Sequence, residues 1–205
     1  VLLDAVAKID FGAFDFWLGR QLPPSDRFNL DGPFYLNAAY SFPIVQDYPN
    51  IYAGRDNGAA IHGEVNGGKF KWAYGVFEGR NGSGTSDQED RVMHAARFDI
   101  ALSDPEPGFY TGSTYFGAKK LTSVGFVFMT EKDGVGTSTN QGDYNGWNVD
   151  ALIERTLSNG AVVNLEGAYF NYDTDDKADA NRIQGDSFLF LASYLMPSKA
   201  SIGGI

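Results

Sequence analysis

Apolar and polar side chains alternate along most of the chain, most sharply over residues 59–79. Phe70, Trp72, Tyr74 and Val76 share one parity there, and Lys69, Lys71, Ala73 and Gly75 share the other. Successive strand side chains point to opposite faces, so this spacing predicts a strand with one bulky apolar face and one charged or tiny face. Ala59, Ile61, Gly63 and Val65 repeat the pattern more faintly against His62, Glu64 and Asn66. The Gly67-Gly68 pair between the two runs tolerates the positive φ of a two-residue hairpin turn.

The same alternation recurs downstream. Phe98, Ile100 and Leu102 oppose Arg97, Asp99 and Ala101, and Val124, Phe126 and Phe128 oppose Ser123, Gly125, Met129 and Glu131. Trp147, Val149, Ala151 and Ile153 oppose Asn148, Asp150, Leu152 and Glu154, and Val163, Leu165, Gly167 and Tyr169 oppose Asn164, Glu166 and Ala168. An apolar strand is predicted over 187–196. Residues 7–20 are strand-like with mixed faces, which predicts a bulged strand or one buried on both sides. About eight strands result.

The connections carry the second signal. Turns after 66, 157 and 196 are short, whereas polar loops at 79–91, 132–146 and 173–186 are long. Short turns therefore gather at one end of the strand array and long loops at the other, with the Pro-rich 103–119 link the exception on the short side. Pro23, Pro24, Pro33, Pro43 and Pro49 each remove a ladder donor, so residues 21–57 hold no central strand. That stretch is too apolar for disorder, and the inside of a barrel is one place for it to pack. The prediction is an all-β fold: an antiparallel up-and-down transmembrane β-barrel, a single partial domain over 1–205 with 21–57 a constriction loop folded inward. The absence of a leader and a tail that stops as a new strand begins predict a piece of a longer polypeptide.

Composition narrows the function. A formal charge of −10 disfavours nucleic acid, whose phosphates need Lys and Arg. No window is apolar enough for a membrane-spanning helix, which leaves barrel strands untouched. With no cysteine there is no disulfide or thiolate metal site. Neither a nucleophile elbow, a phosphate loop nor a dinucleotide fingerprint is present, so no enzyme and no cofactor is predicted. The run Asp173–Asp179 lacks the central Gly and distal Glu of a calcium loop and reads as a solvated acidic loop. His62 and His94 have no metal-ligand spacing. Trp17, Tyr110, Tyr115, Tyr144, Trp147 and Tyr172, near strand ends, suit interfacial aromatic girdles, with ordinary hairpin packing the alternative.

The phrases WLGRQLPPSDRFNLDGPFYLN, AGRDNGAAIHGEV and FKWAYGVFEGR, then DPEPGFYTGSTYFGAKK, GDYNGWNVDALIE, LEGAYFNYD and GDSFLFLASYLMP, cover nearly the whole chain. They resemble bacterial outer-membrane porins of the phosphate-selective type, and more narrowly porins found beside multihaem cytochromes in selenite/tellurite-reduction operons. The resemblance implies a Gram-negative outer-membrane location, a larger barrel, homotrimers and a long loop narrowing the lumen. The Lys and Arg ladder of phosphate-selective members is not matched, and Ile205 is not their terminal aromatic.

The expected function is a diffusion channel for small hydrophilic solutes or ions, in contact with outer-membrane lipid. Candidate constriction residues are Asp26, Arg27, Asp31, Arg55 and Asp56. Candidate pore-wall residues are Glu64, Lys71, Arg97, Asp99, Glu131, Asp150, Glu154 and Glu166, whose acidic excess predicts mild cation preference. Two alternatives stand beside it: a barrel sheathing a multihaem cytochrome partner in an electron conduit, and a soluble β-sandwich binding module that would bury the aromatic faces.

Overall fold

A computed structural model describes residues 4–31, 54–79, 91–137, 139–177, 184–198 and 201–204. Ten strands form one sheet in chain order, each antiparallel to the next: β1 Ala5–Asp10, β2 Asp15–Gln21, β3 Asp56–Val65, β4 Phe70–Phe77, β5 Met93–Ala101, β6 Leu121–Thr137, β7 Asn140–Thr156, β8 Val162–Asp173, β9 Gly185–Leu195 and β10 Ser201–Gly204. Among the described residues the outermost strands β1 and β10 do not pair, so the sheet is not closed. A single helical turn, α1 (Arg27–Leu30), follows β2. The up-and-down all-β architecture expected from the alternation is the one observed.

Several details differ. Residues 7–20 are a hairpin rather than one bulged strand: Asp10 pairs with Asp15, and Gly12 at φ 79° turns the chain between them. The break in parity that blurred the faces is this turn. The β3–β4 connection is four residues long, Asn66 to Lys69, because Asn66, Gly67 and Gly68 all take left-handed backbone and Val65 pairs with Phe70. Residues 132–146 belong mainly to β6 and β7, which zip to Thr137 and Asn140 across a register shift between Glu131 and Val135. Val135, Thr137 and Tyr144 favour that extension despite the surrounding glycines.

The two faces of the sheet differ sharply in burial and charge. On β5, Phe98 and Ile100 are about half exposed (48% and 50%) while Arg97 and Asp99 are nearly sealed (2% and 5%). On β4 the exposed Phe70 and Tyr74 alternate with buried Lys71 and Ala73. A protein folded against water does the reverse, and the informative signs are buried charges and a continuous apolar surface. The described strands make one sheet, and among the described residues no second sheet lies over the aromatic face.

The apolar outer face continues row by row. Phe126, Val149, Tyr169 and Phe188 lie side by side across β6–β9, and Val124, Ala151, Gly167 and Phe190 form the next row. Polar outward positions bound the band: Thr130, Asn145 and Asp173 at the long-loop end, Thr122 and Arg155 near the short-turn end of β6–β7. The girdle expectation fails for Trp17, Tyr144 and Tyr172, which are buried on the inner face. Their parity places them inward, where Tyr144 and Tyr172 pack with Phe28, Phe77, Met93, Met129 and Phe170. Trp17 packs instead with Leu22, Leu30 and Phe109.

Candidate functional site

Two chain segments fill the inner face from opposite ends. Residues 22–31 enter from the long-loop end and the β5–β6 link, 102–120, enters from the short-turn end. Asp26 caps α1 by accepting from the Phe28 and Asn29 amides at 3.0 and 3.3 Å, so this isolated turn is held by its own N-cap. All four residues of the turn are buried. The later residues of the expected constriction loop, 32–53, lie outside the described residues.

Arg27 joins the two segments to the wall. Its guanidinium donates to both Glu106 carboxylate oxygens at 2.8 and 2.6 Å, to the Gly112 carbonyl at 3.1 Å and to Ser123 Oγ at 3.0 Å. Its amide donates to Asp150 Oδ2 at 3.0 Å, and its carbonyl accepts from Thr111 Oγ1 at 3.2 Å. Burial pulls the Arg27 pKa down, but the carboxylates of Glu106, Asp31 and Asp150 together outweigh it and hold the guanidinium well above its usual value. The converse applies to Glu106: burial opposes its charge, yet Arg27 holds the acid down at about 2. Tyr115 adds a hydroxyl donor to Glu106 at 2.5 Å.

Arg97 is the second hub. It makes a forked pair with Asp99, Nε to Oδ2 at 3.0 Å and Nη2 to Oδ1 at 2.5 Å, and another with Asp150 at 2.5 and 2.9 Å. Nη1 also donates to the Ser25 carbonyl at 3.0 Å, tying the 22–31 segment to β5. Gly125 sits between Asp99 and Asp150 in the sheet register, and its missing side chain is the space the guanidinium occupies. A Cβ there would fall 2.6 Å from Asp150 Oδ1 and 2.7 Å from Arg97 Cζ. Buried ion pairs of this kind cost desolvation and return positional specificity.

Asp31 closes α1 and accepts from Thr111 Oγ1 at 2.5 Å and Ser113 Oγ at 2.7 Å. Burial raises its acid to about 7, against the opposing pull of Arg27 and the two hydroxyls. Glu154 accepts from Thr114 Oγ1 and from the Tyr115 and Gly117 amides at 2.8, 2.7 and 2.9 Å, and so clamps the 102–120 link onto β7. Asn164 supports it, donating to the Ser113 carbonyl at 2.5 Å.

The candidates from the sequence therefore divide. Asp26, Arg27, Asp31, Arg97, Asp99, Asp150 and Glu154 come together in one buried assembly. Lys71 borders it 4.0 Å from Glu106, and Glu166 is buried nearby with both oxygens unbonded. Arg55 and Asp56 are elsewhere: Arg55 pairs with Asp4 at 2.9 Å, and Asp56 accepts from the Gly79 amide at 2.8 Å. Glu131 is buried beside Gly79 and Gly134. Glu64 is exposed at the short-turn rim, accepting from the Gly108 amide at 2.7 Å.

No family model, curated protein or solved structure matches the chain. The geometry therefore stands alone. Glu106, Thr111, Ser113, Ser123 and Asn164 were not among the expected site residues. Asn164 and Ser123 share the parity of inward charges and were within reach of that rule. Glu106, set between Pro105 and Pro107, carries no sequence signal for its partner 79 residues away. Among the described residues no cluster of three or more metal-ligating side chains is present.

Proposed function

We propose that the chain forms part of an outer-membrane diffusion channel for small hydrophilic solutes or ions. One observation carries the reading: the sheet is apolar on its outer face and charged on its inner face, the distribution a wall needs between lipid and an aqueous lumen. The band has a fitting height. From Asn145 to Arg155 is ten residue steps on β7, about 33 Å at 3.3 Å per residue, or about 25 Å of height at the tilt of roughly 40° usual for such barrels. Lipid is then the outer partner, and homotrimers and the Gram-negative outer membrane follow from the resemblance alone.

Segments 22–31 and 105–116 would set the bore, since they cover the charged wall. Lumen-facing charge gives the mild cation preference expected from the acidic excess. Occupation of the inner face by the chain's own segments favours a channel over a sheath around a cytochrome. The test is reconstitution of the full chain into planar lipid bilayers. Discrete conductance steps with cations favoured over anions are expected, whereas a chain that inserts without conductance would overturn the reading.

A further inference from the structure

At the short-turn end a cavity of about 120 Å³ runs from the rim down beside the charge network. Its lining includes the buried Lys71, His62, Leu30 and Phe109 and, at its more exposed side, Asp15 and Glu64. Lys71 is only 6% exposed, yet among the described residues its ammonium has no hydrogen-bond partner. The nearest carboxylate, Glu106 at 4.0 Å, already accepts from both arms of Arg27 and from Tyr115. Arg97 and Asp99, which also border the space, neutralise each other. His62 Nε2 is likewise buried without a partner, while its ring packs edge-on against Trp17 at 4.6 Å and near Phe109 at 5.0 Å.

A buried ammonium offers three donors and is costly to leave unmet. The pocket therefore presents an ammonium without a hydrogen bond at its buried side and carboxylates at its exposed side, with aromatic rings also in its lining. The Asp15 side chain is 42% exposed and lies 3.8 Å from His62 Nδ1, and Glu64 has one oxygen spent on Gly108. A phosphate dianion would have to pass those carboxylates, and a simple cation would meet Lys71. A molecule carrying both charges satisfies both ends.

We propose that this cavity binds a small zwitterion of the amino-acid type, with its carboxylate on Lys71 Nζ and its ammonium toward Asp15 and Glu64. The proposal rests on the channel reading only for how the ligand arrives. The full chain folded in detergent micelles is titrated calorimetrically with L-alanine, acetate, ethylamine and inorganic phosphate. Alanine is expected to bind in the millimolar range and more tightly than the other three. Lys71→Met should weaken it about tenfold or more, the worth of a charge-assisted hydrogen bond, and Asp15→Asn by less.

A second measurement needs no variant. Bound alanine should shift the Nζ resonance of Lys71 in the wild-type chain labelled with nitrogen-15 lysine, read by nuclear magnetic resonance. Absence of alanine binding, binding indifferent to Lys71→Met, an unmoved Lys71 resonance at saturating alanine, or phosphate or acetate binding as tightly as alanine would each overturn the proposal. Because binding is read in micelles and conductance in bilayers, loss of the first with the second intact sinks the site alone. The opposite result sinks the channel alone.

Discussion

Gly125→Ala is the sharpest perturbation of the inner network. The added methyl would lie 2.6 Å from Asp150 Oδ1 and 2.7 Å from Arg97 Cζ, well inside contact distance. The guanidinium has no spare direction, because Asp99, Asp150 and the Ser25 carbonyl hold it on three sides. Keeping the fold requires Arg97 to leave Asp150, and breaking a buried pair costs about 3–5 kcal/mol. Gly167→Ala on β8 is the control: its methyl would meet the Leu189 carbonyl at 3.3 Å and Phe190 at 3.7 Å, so the expected cost is within about 1 kcal/mol. Urea unfolding of both variants in the same micelles, followed by tryptophan fluorescence, reads the difference. Because Ser25 and Arg27 hang from this network, Gly125→Ala should also loosen the 22–31 segment to limited proteolysis. A Gly125→Ala chain as stable and as protease-resistant as Gly167→Ala would refute the packing argument.

Four further outcomes are expected. Asp31 takes up its proton at about 7 when folded and near 3.8 when unfolded, so the native state binds more protons between those values. Its contribution to stability therefore falls as pH rises from about 4 to about 7, by at most about 4 kcal/mol, and Asp31→Asn should flatten that slope in urea unfolding. Glu106, held at about 2, acts oppositely: its contribution is complete above 4.5 and lost as pH falls toward 2, and Glu106→Gln should remove that acid limb. A double-mutant cycle of Arg27→Met with Glu106→Gln should give a coupling of about 1–3 kcal/mol, while additive effects would mean the forked pair does not act as a unit. Val149→Arg, mid-band on the outer face, should cost about 2–4 kcal/mol in lipid, and Asn171→Arg at the band edge about 1 kcal/mol or less. On a face bathed in water neither change would exceed about 0.5 kcal/mol.

What the sequence revealed follows from the physics of its signals. Side-chain parity is local, so the faces of β4, β5, β7 and β8 and the inward position of Arg97, Asp150 and Glu166 were legible residue by residue. Parity fails where the chain turns inside a run, and Gly12 and Ala13 made a hairpin read as one strand with mixed faces. Nearness to a strand end does not distinguish an aromatic girdle from an inner plug, whereas the parity of Tyr144 and Tyr172 places both inward. Of the proline-rich stretch after β2, the described residues 22–31 hold one helical turn and no strand, and they pack on the inner face as their apolar character implied. That the β5–β6 link rises to meet it was not legible, because Arg27 and Glu106 stand 79 residues apart and no local pattern ties one to the other.

The central claim is that the aromatic outer face meets lipid. The chain lacks cysteine, so single cysteines at outward positions 145, 147, 149, 151, 153 and 155 of β7 can carry a nitroxide without background. Their collision rates with dissolved oxygen and with a water-soluble nickel complex are measured by electron paramagnetic resonance after reconstitution into bilayers. Oxygen accessibility should peak at 149–151 and nickel accessibility at 145 and 155. Nickel contact that stays uniform along the strand, or a chain that remains outside the bilayer, would contradict the account.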